Sequence, residues 1–353
     1  MNRIKLLFTV AAMGMAIGAV VAQPRPITLL VPPFEGPGSL GVNVSTVLNL
    51  QVWQTLRKAP FPNPLSLNFG DGLVTWMDQP LESQTHEAAL RAAGENNADV
   101  VLWGKARPYG SGVVVQSYLT IKPPSASPIW QLPVERDGKS STINVGLPRL
   151  RYEFTPLELR STIVESYSTP DALGLYSSRQ GGNRIGTVGS FFTALEQNGD
   201  AALVRSGDQT GWIRLPSLST NRSEIVDFVG GIIRIMRADW GGASALFAKV
   251  LANPRTPTAV KLDAHLYRIV ALERSGASGA EEARRAHALS PYDRATVCYL
   301  VMSQIASANR LPADAAARTA ALSDAQRVLE SNRSIFSKTD PWFAATATAL
   351  GGR

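Results

Sequence analysis

The sequence predicts a multi-domain α+β chain, on three observations. Between residues 27 and 122, short apolar runs alternate with helix-spaced apolar residues, as in a small α/β domain with a mixed sheet. Between 171 and 219, five short strand-like runs follow one another across Gly, Asn and Asp turns, the pattern of a small β-barrel. From Ser223 onward Ala, Arg and Leu dominate and the helical period takes over. The 353 residues exceed one ordinary core, and 44% hydrophobic with 18% charged residues describes a folded chain.

Residues 1–22 have the three parts of a secretory signal. Arg3 and Lys5 give the positive start, Leu6 to Val21 the apolar stretch, and Val20-Val21-Ala22 the small residues of a cleavage site, placing the cut between Ala22 and Gln23. Pro24 and Pro26 then stop any helix. The competing reading is an uncleaved anchor, for which Gly14 and Gly18 supply a GxxxG pair. The stretch falls short of the roughly 20 residues that span a bilayer core, so cleavage is preferred. The expected location is the periplasm or the exterior, with no transmembrane segment in the mature chain.

Formal net charge is +7, or +5 once Arg3 and Lys5 are removed, and no run of basic residues occurs. That balance gives no case for nucleic acid as a partner. Cys298 is the single cysteine, which rules out an internal disulfide and a Cys-built zinc site. Its apolar neighbours predict a buried, inert thiol.

In chain order, Ile27 to Val31 reads as a buried strand closed by Pro32-Pro33, and Val44, Val47, Leu48, Val52 and Leu56 as one helix face. Leu65 to Phe69 and Leu73 to Met77 read as strands. Thr85 to Ala93 reads as a helix stopped by Gly94. Asp99 to Gly104 and Val113 to Ile121 form a hairpin around Pro108, Gly110 and Gly112. This order, with the run from Gly94 to Gly104 (including Ala98-Asp99-Val100-Val101-Leu102-Trp103), resembles the amino-terminal α/β domain of TolB-like and curli-secretion-like envelope proteins. The resemblance covers residues 27–122 and implies a role in protein contacts and envelope assembly.

Residues 123–168 carry Pro123, Pro124, Pro128, Pro133 and Pro148 between strand-like pieces at Ile129 to Val134, Ile143 to Leu147 and Leu157 to Tyr167. They read as an extension of the first domain, which then spans 23–168.

The five barrel strands are Ala172 to Tyr176, Ile185 to Gly189, Phe192 to Glu196, Ala201 to Arg205 and Gly211 to Leu215. Thr210-Gly211-Trp212-Ile213 and Ile185-Gly186-Thr187-Val188 resemble two strands of bacterial SH3-like domains, assigned here to 169–220. The opening of that family's motif is reduced here to Tyr176-Ser177-Ser178-Arg179. Trp212 in a strand fills a barrel core more often than it stacks on a ligand.

In the helical part, Thr256-Pro257, Ser290-Pro291 and Asp340-Pro341 each place a capping side chain before a proline, and Ser290 has Asp293 three residues on. Pro254 and Pro291 are 37 residues apart, near the tetratricopeptide period of about 34. With Ala286-His287-Ala288-Leu289-Ser290-Pro291-Tyr292-Asp293, this resembles tetratricopeptide repeats over residues 221–353, with a third, degenerate unit from Cys298 to Glu330.

No catalytic constellation is visible. His86, His265 and His287 have no zinc spacing, and no serine elbow, phosphate loop or dinucleotide fingerprint occurs. Asp71, Asp99, Glu273, Glu281 and Glu282 read as solvated charge. The expectation is therefore a non-enzymatic adaptor, without cofactor or metal, that binds protein or peptide partners in the cell envelope through its helices and SH3-like module. Binding of peptidoglycan is the alternative. Candidate ligand-binding residues are Trp212 and Tyr176 in the barrel, and Tyr267 and Arg268 in a concave groove of the helices.

Overall fold

The computed structural model describes residues 27–57, 67–68, 74–76, 79–123, 129–136, 138–165, 174–188, 193–198, 201–214, 224–312 and 315–351. The expected export segment 1–22, Asp71 and the outer ends of several expected strands lie outside the described residues. The chain is a mixed α+β structure.

The first sheet begins with β1 (Leu29–Val31), followed by helix α1 (Leu40–Arg57). After β2 (Leu67–Asn68) come β3 (Val74–Trp76), α2 (His86–Glu95), β4 (Val100–Tyr109) and β5 (Gly112–Ile121). The order β3-β1-β4-β5-β8 is completed by β8 (Arg151–Glu153), and β9 (Leu157–Arg160) also pairs with β5. β1 runs parallel to β3 and β4 while β4, β5, β8 and β9 pair antiparallel, so the sheet is mixed as the sequence predicts. Val44, Val47, Leu48 and Val52 of α1 join the core under one face, and Ala89, Ala92 and Ala93 of α2 cover Leu30, Val101 and Trp103 on the other. Side chains alternate across a strand, which is why Trp103 falls in one core and Leu102 in the other.

Thr85 caps α2, its hydroxyl accepting from the Ala88 N–H at 3.2 Å. Gly94 does not end that helix. It lies inside α2, Asn96 closes it, and Asn97 takes the left-handed turn at φ 50°. Asn is the residue that tolerates this conformation after glycine, so the stop was supplied three residues later than expected.

The Pro-punctuated segment divides. β8 and β9 extend the first sheet, and the chain then turns into helix α3 (Ser161–Glu165) where strand was expected to continue. The hairpin β6 (Trp130–Arg136) and β7 (Lys139–Val145) instead places Trp130, Val134, Ile143 and Val145 in the core of the helices.

The second sheet contains β10 (Gly174–Ser178), β11 (Gly181–Thr187), β12 (Thr193–Asn198), β13 (Ala201–Ser206) and β14 (Gln209–Arg214), in the order β11-β10-β14-β13-β12-β2. Its last strand is β2, contributed by the segment between α1 and β3 through Thr193↔Asn68 and Ala194↔Leu67.

The helices are α4 (Glu224–Met236), α5 (Trp240–Ala252), α6 (Thr258–Arg274), α7 (Ala280–Leu289), α8 (Arg294–Asn309), α9 (Ala316–Ser331) and α10 (Pro341–Ala349). From α4 to α9 each packs on the next, and α4 with α6 and α6 with α8 also touch. α4, α6 and α8 thus form an inner row, buried on most sides, while α5, α7 and α9 bury one stripe each.

Of the three expected caps, Asp340 holds, accepting from the Phe343 N–H with Pro341 opening α10. The other two do not. Thr256 donates its hydroxyl to the Val250 carbonyl and leaves α6 without a side-chain cap, and Asp293, not Ser290, caps α8.

Candidate functional site

On β14 the buried positions are Gly211 and Ile213, so Trp212 points to the opposite, outward face and is half-buried. On β10 Leu175 is fully buried, and its neighbour Tyr176 shares that outward face. The expected core position for Trp212 is thereby corrected: Ile213 takes the core, and the period of two turns the indole out.

Strand register assembles the rest. Tyr176 stands opposite Trp212 and Arg184, Trp212 opposite Leu203, and Leu203 opposite Glu196. Five strands therefore carry one row, Arg184–Tyr176–Trp212–Leu203–Glu196, with exposed charges of opposite sign at its ends and a half-buried apolar centre. Arg214, two residues along β14, and Arg205, paired to Thr210, are exposed beside it. Gly174 permits the arrangement: a Cβ there would sit 3.0 Å from the Tyr176 ring, which folds back over the bare backbone. Such a row offers a flat ring a stacking surface, with guanidinium groups for an anionic neighbour.

Tyr267 is not a groove residue. It is fully buried, stacked on Phe247 at 5.3 Å and edge-on to Phe228 at 6.1 Å. Its hydroxyl lies 2.7 Å from that of Tyr152 in β8. Arg268 is largely committed, because its guanidinium pairs with the buried carboxylate of Glu282, which also bonds His265 Nδ1 at 2.5 Å. Burial opposes the Glu282 charge, yet the His265 bond and the Arg268 cation hold its carboxyl below the usual range. Both residues tie α6 to its surroundings, so the structure does not bring them to the Trp212 row.

The hairpin β6–β7 packs onto the helices elsewhere. It covers the helices around α8 and α10, with Trp130 against Tyr299 at 6.1 Å, Tyr299 Oη donating to the Gly146 carbonyl at 2.9 Å, and Asn309 Nδ2 donating to the Pro133 carbonyl at 2.7 Å. Periodicity alone carried no sign of this packing.

The expected solvated acids are mostly not solvated. Asp99 accepts from the Thr28 N–H at 3.0 Å, Glu273 accepts from the Gly279 N–H at 2.7 Å and pairs with Arg310, and Glu282 is buried as above; Glu281 is exposed. Each buried acid joins segments that the sequence separates, which local charge pattern does not reveal.

His86 belongs to a second polar–aromatic cluster, missed in the sequence. Trp103 Nε1–H donates to Thr120 Oγ1 at 2.9 Å, and His86 Nδ1 lies 2.8 Å from the same oxygen. Burial first, then Arg151, lowers the His86 pKa, and Nδ1 and the Thr120 hydroxyl share one hydrogen bond. Tyr118 stacks on Trp103 at 4.6 Å. Here the histidine works as a hydrogen-bond anchor for α2 on the sheet.

Cys298 is buried, and burial pushes its thiol up to about 12. Among the described residues no helix is long and apolar enough to cross a membrane. No family model matches the chain, and neither the curated proteins nor the solved structures gave a match.

Proposed function

We propose that this chain is an exported, non-catalytic adaptor of the cell envelope that binds protein partners, with an SH3-like second sheet as its contact module and tetratricopeptide-like helices as its scaffold. The observation that carries the reading is the outward Tyr176–Trp212 pair. Two large aromatic side chains occupy directly opposed strand positions, both half-exposed, where strand alternation would equally have allowed small polar residues. Rigid aromatic anchors flanked by arginine are the commonest source of binding energy at protein interfaces. The helices contribute by stacking: a repeat array holds its shape through neighbour contacts and leaves the outer row α5, α7 and α9 facing outward. The TolB-like pattern at 27–122 and the apolar segment 6–21 support a role in the envelope.

The test is recovery of partners from envelope extract by the full mature chain and by its Trp212→Ala variant. Loss of specific partners in the variant supports the reading; an unchanged set defeats it. Amino-terminal sequencing of the purified protein checks export, with Gln23 the expected first residue.

Peptidoglycan is the second reading, favoured by Arg184, Arg205 and Arg214 around the rings, since a sugar ring stacks on indole and wall peptides carry carboxylates. Sedimentation with purified sacculi, lost in Trp212→Ala, distinguishes it.

A further inference from the structure

The turn before β8 places Arg149 between two helices. Its Nε lies 3.2 Å from Asp263 Oδ1 on α6, and its Nη2 lies 3.6 Å from Asp293 Oδ2 at the start of α8. One guanidinium thus serves two carboxylates. The two are unequal: the Asp263 side chain is 3% exposed and that of Asp293 27%. Asp263 Oδ1 receives no hydrogen bond of good geometry, so its negative charge is opposed by a cation but met by no aligned donor.

We propose that Arg149, Asp263 and Asp293 form a proton-operated latch between the first sheet and the helical stack, with Asp263 as the group that takes up the proton.

The surroundings leave Asp263 as the responsive member. From β8 it faces Tyr152, from its own helix Tyr267, from α8 Tyr299 and Asp293, and from the turn Arg149. The tyrosines stay neutral, because burial raises all three. α4 and α5 meet this part of α6 through Phe228 and Phe247. On the α7 side, Glu282 is already held by His265 and Arg268. Burial pushes the Asp263 carboxyl up to about 7 against the pull of Arg149, and the charge on Asp293 adds to the rise. An unfolded Asp titrates near 3.9. Between these values the folded chain keeps a proton that the unfolded chain releases, so the contribution to stability falls as pH climbs from about 4 to about 7 and stays low above. Protonated, Asp263 buries no charge and the junction is firmest on the acid side of neutrality; ionised beyond it, the carboxylate costs more in burial than its pairing with Arg149 returns, and the latch loosens.

Two measurements on the full chain test this. Urea midpoints from pH 5 to 8.5 are expected to fall in the wild type, to lose most of that slope in Asp263→Asn, and to fall in Asp293→Asn. Carbon-13 NMR of the aspartate carboxyls is expected to show one wild-type resonance titrating near neutrality that is absent from Asp263→Asn. A pH dependence in Asp263→Asn as steep as the wild type's would overturn the proposal. If that variant fails to fold, the wild-type titration decides: no aspartate moving above pH 6 also overturns it.

Discussion

Tyr152 of β8 and Tyr267 of α6 meet hydroxyl to hydroxyl at 2.7 Å in the core, and both reach the Arg149 carbonyl, at 3.0 and 3.3 Å. One proton satisfies the carbonyl and the other bridges the rings, so the pair works as a unit. This bond joins the first sheet to the inner helix row at a point where Phe154 and Phe228 also pack, 5.6 Å apart.

Because the two hydroxyls bond each other and share the Arg149 carbonyl, their deletions are expected to be non-additive. Tyr152→Phe and Tyr267→Phe should each cost about 1 kcal/mol, the net value of one buried hydrogen bond. In a double-mutant cycle followed by urea unfolding, the double variant should cost measurably less than the two singles together. Strict additivity would show that the hydroxyls are not coupled.

The outward turn of Trp212 makes a contrast with its neighbour. Ile213 is fully buried, so Ile213→Ala should cost about 2–5 kcal/mol, whereas Trp212→Ala removes a half-exposed ring and should cost about 1 kcal/mol. Thermal or urea unfolding of both variants measures this. The reverse order would return Trp212 to the core.

How much of this was legible follows a physical line. Strands and helices announced themselves where one face is apolar, as in Val44, Val47 and Leu48 of α1. Asp340-Pro341 was legible because cap and proline act within one turn. Thr256 misled because its hydroxyl found the Val250 carbonyl, an equally local choice that the sequence does not rank. Tyr176 and Trp212 were visible as residue types, but their opposition depends on the register of β10 on β14. Long-range pairings had no local signal at all. The addition of β2 to β12, the seat of Trp130 among helices, and Arg149 between Asp263 and Asp293 each join segments far apart in the chain.

The hairpin's place yields a further test. Trp130 is 2% exposed inside the helical core, so Trp130→Ala should destabilise by about 3–5 kcal/mol. The loss should appear in the far-ultraviolet circular dichroism of the helices on heating, although the mutated residue lies in a strand. A hairpin that merely hung from the first sheet would leave the helical melt unchanged.

At the carboxyl-terminal end, Asp340 accepts from Arg294 Nε at 2.7 Å and Nη2 at 3.1 Å, as well as from the Phe343 N–H at 3.0 Å. The Arg294 hydrogen bonds, against a smaller opposing effect of burial, hold its carboxyl below the usual range. A depressed folded pKa contributes stability above the unfolded value near 3.9, and that stability is lost as pH falls through the folded value. Arg294 is 48% exposed, so solvent screens the pair and the cap supplies the firmer share, about 1 kcal/mol. Asp340→Asn can still accept from the Phe343 N–H but loses the charge. It should therefore be modestly less stable than the wild type at pH 7, with the gap narrowing as pH falls below the unfolded value near 3.9. Urea midpoints at pH 7 and pH 2.5 check this, and a gap as wide in acid as at pH 7 would assign the effect to shape instead of charge.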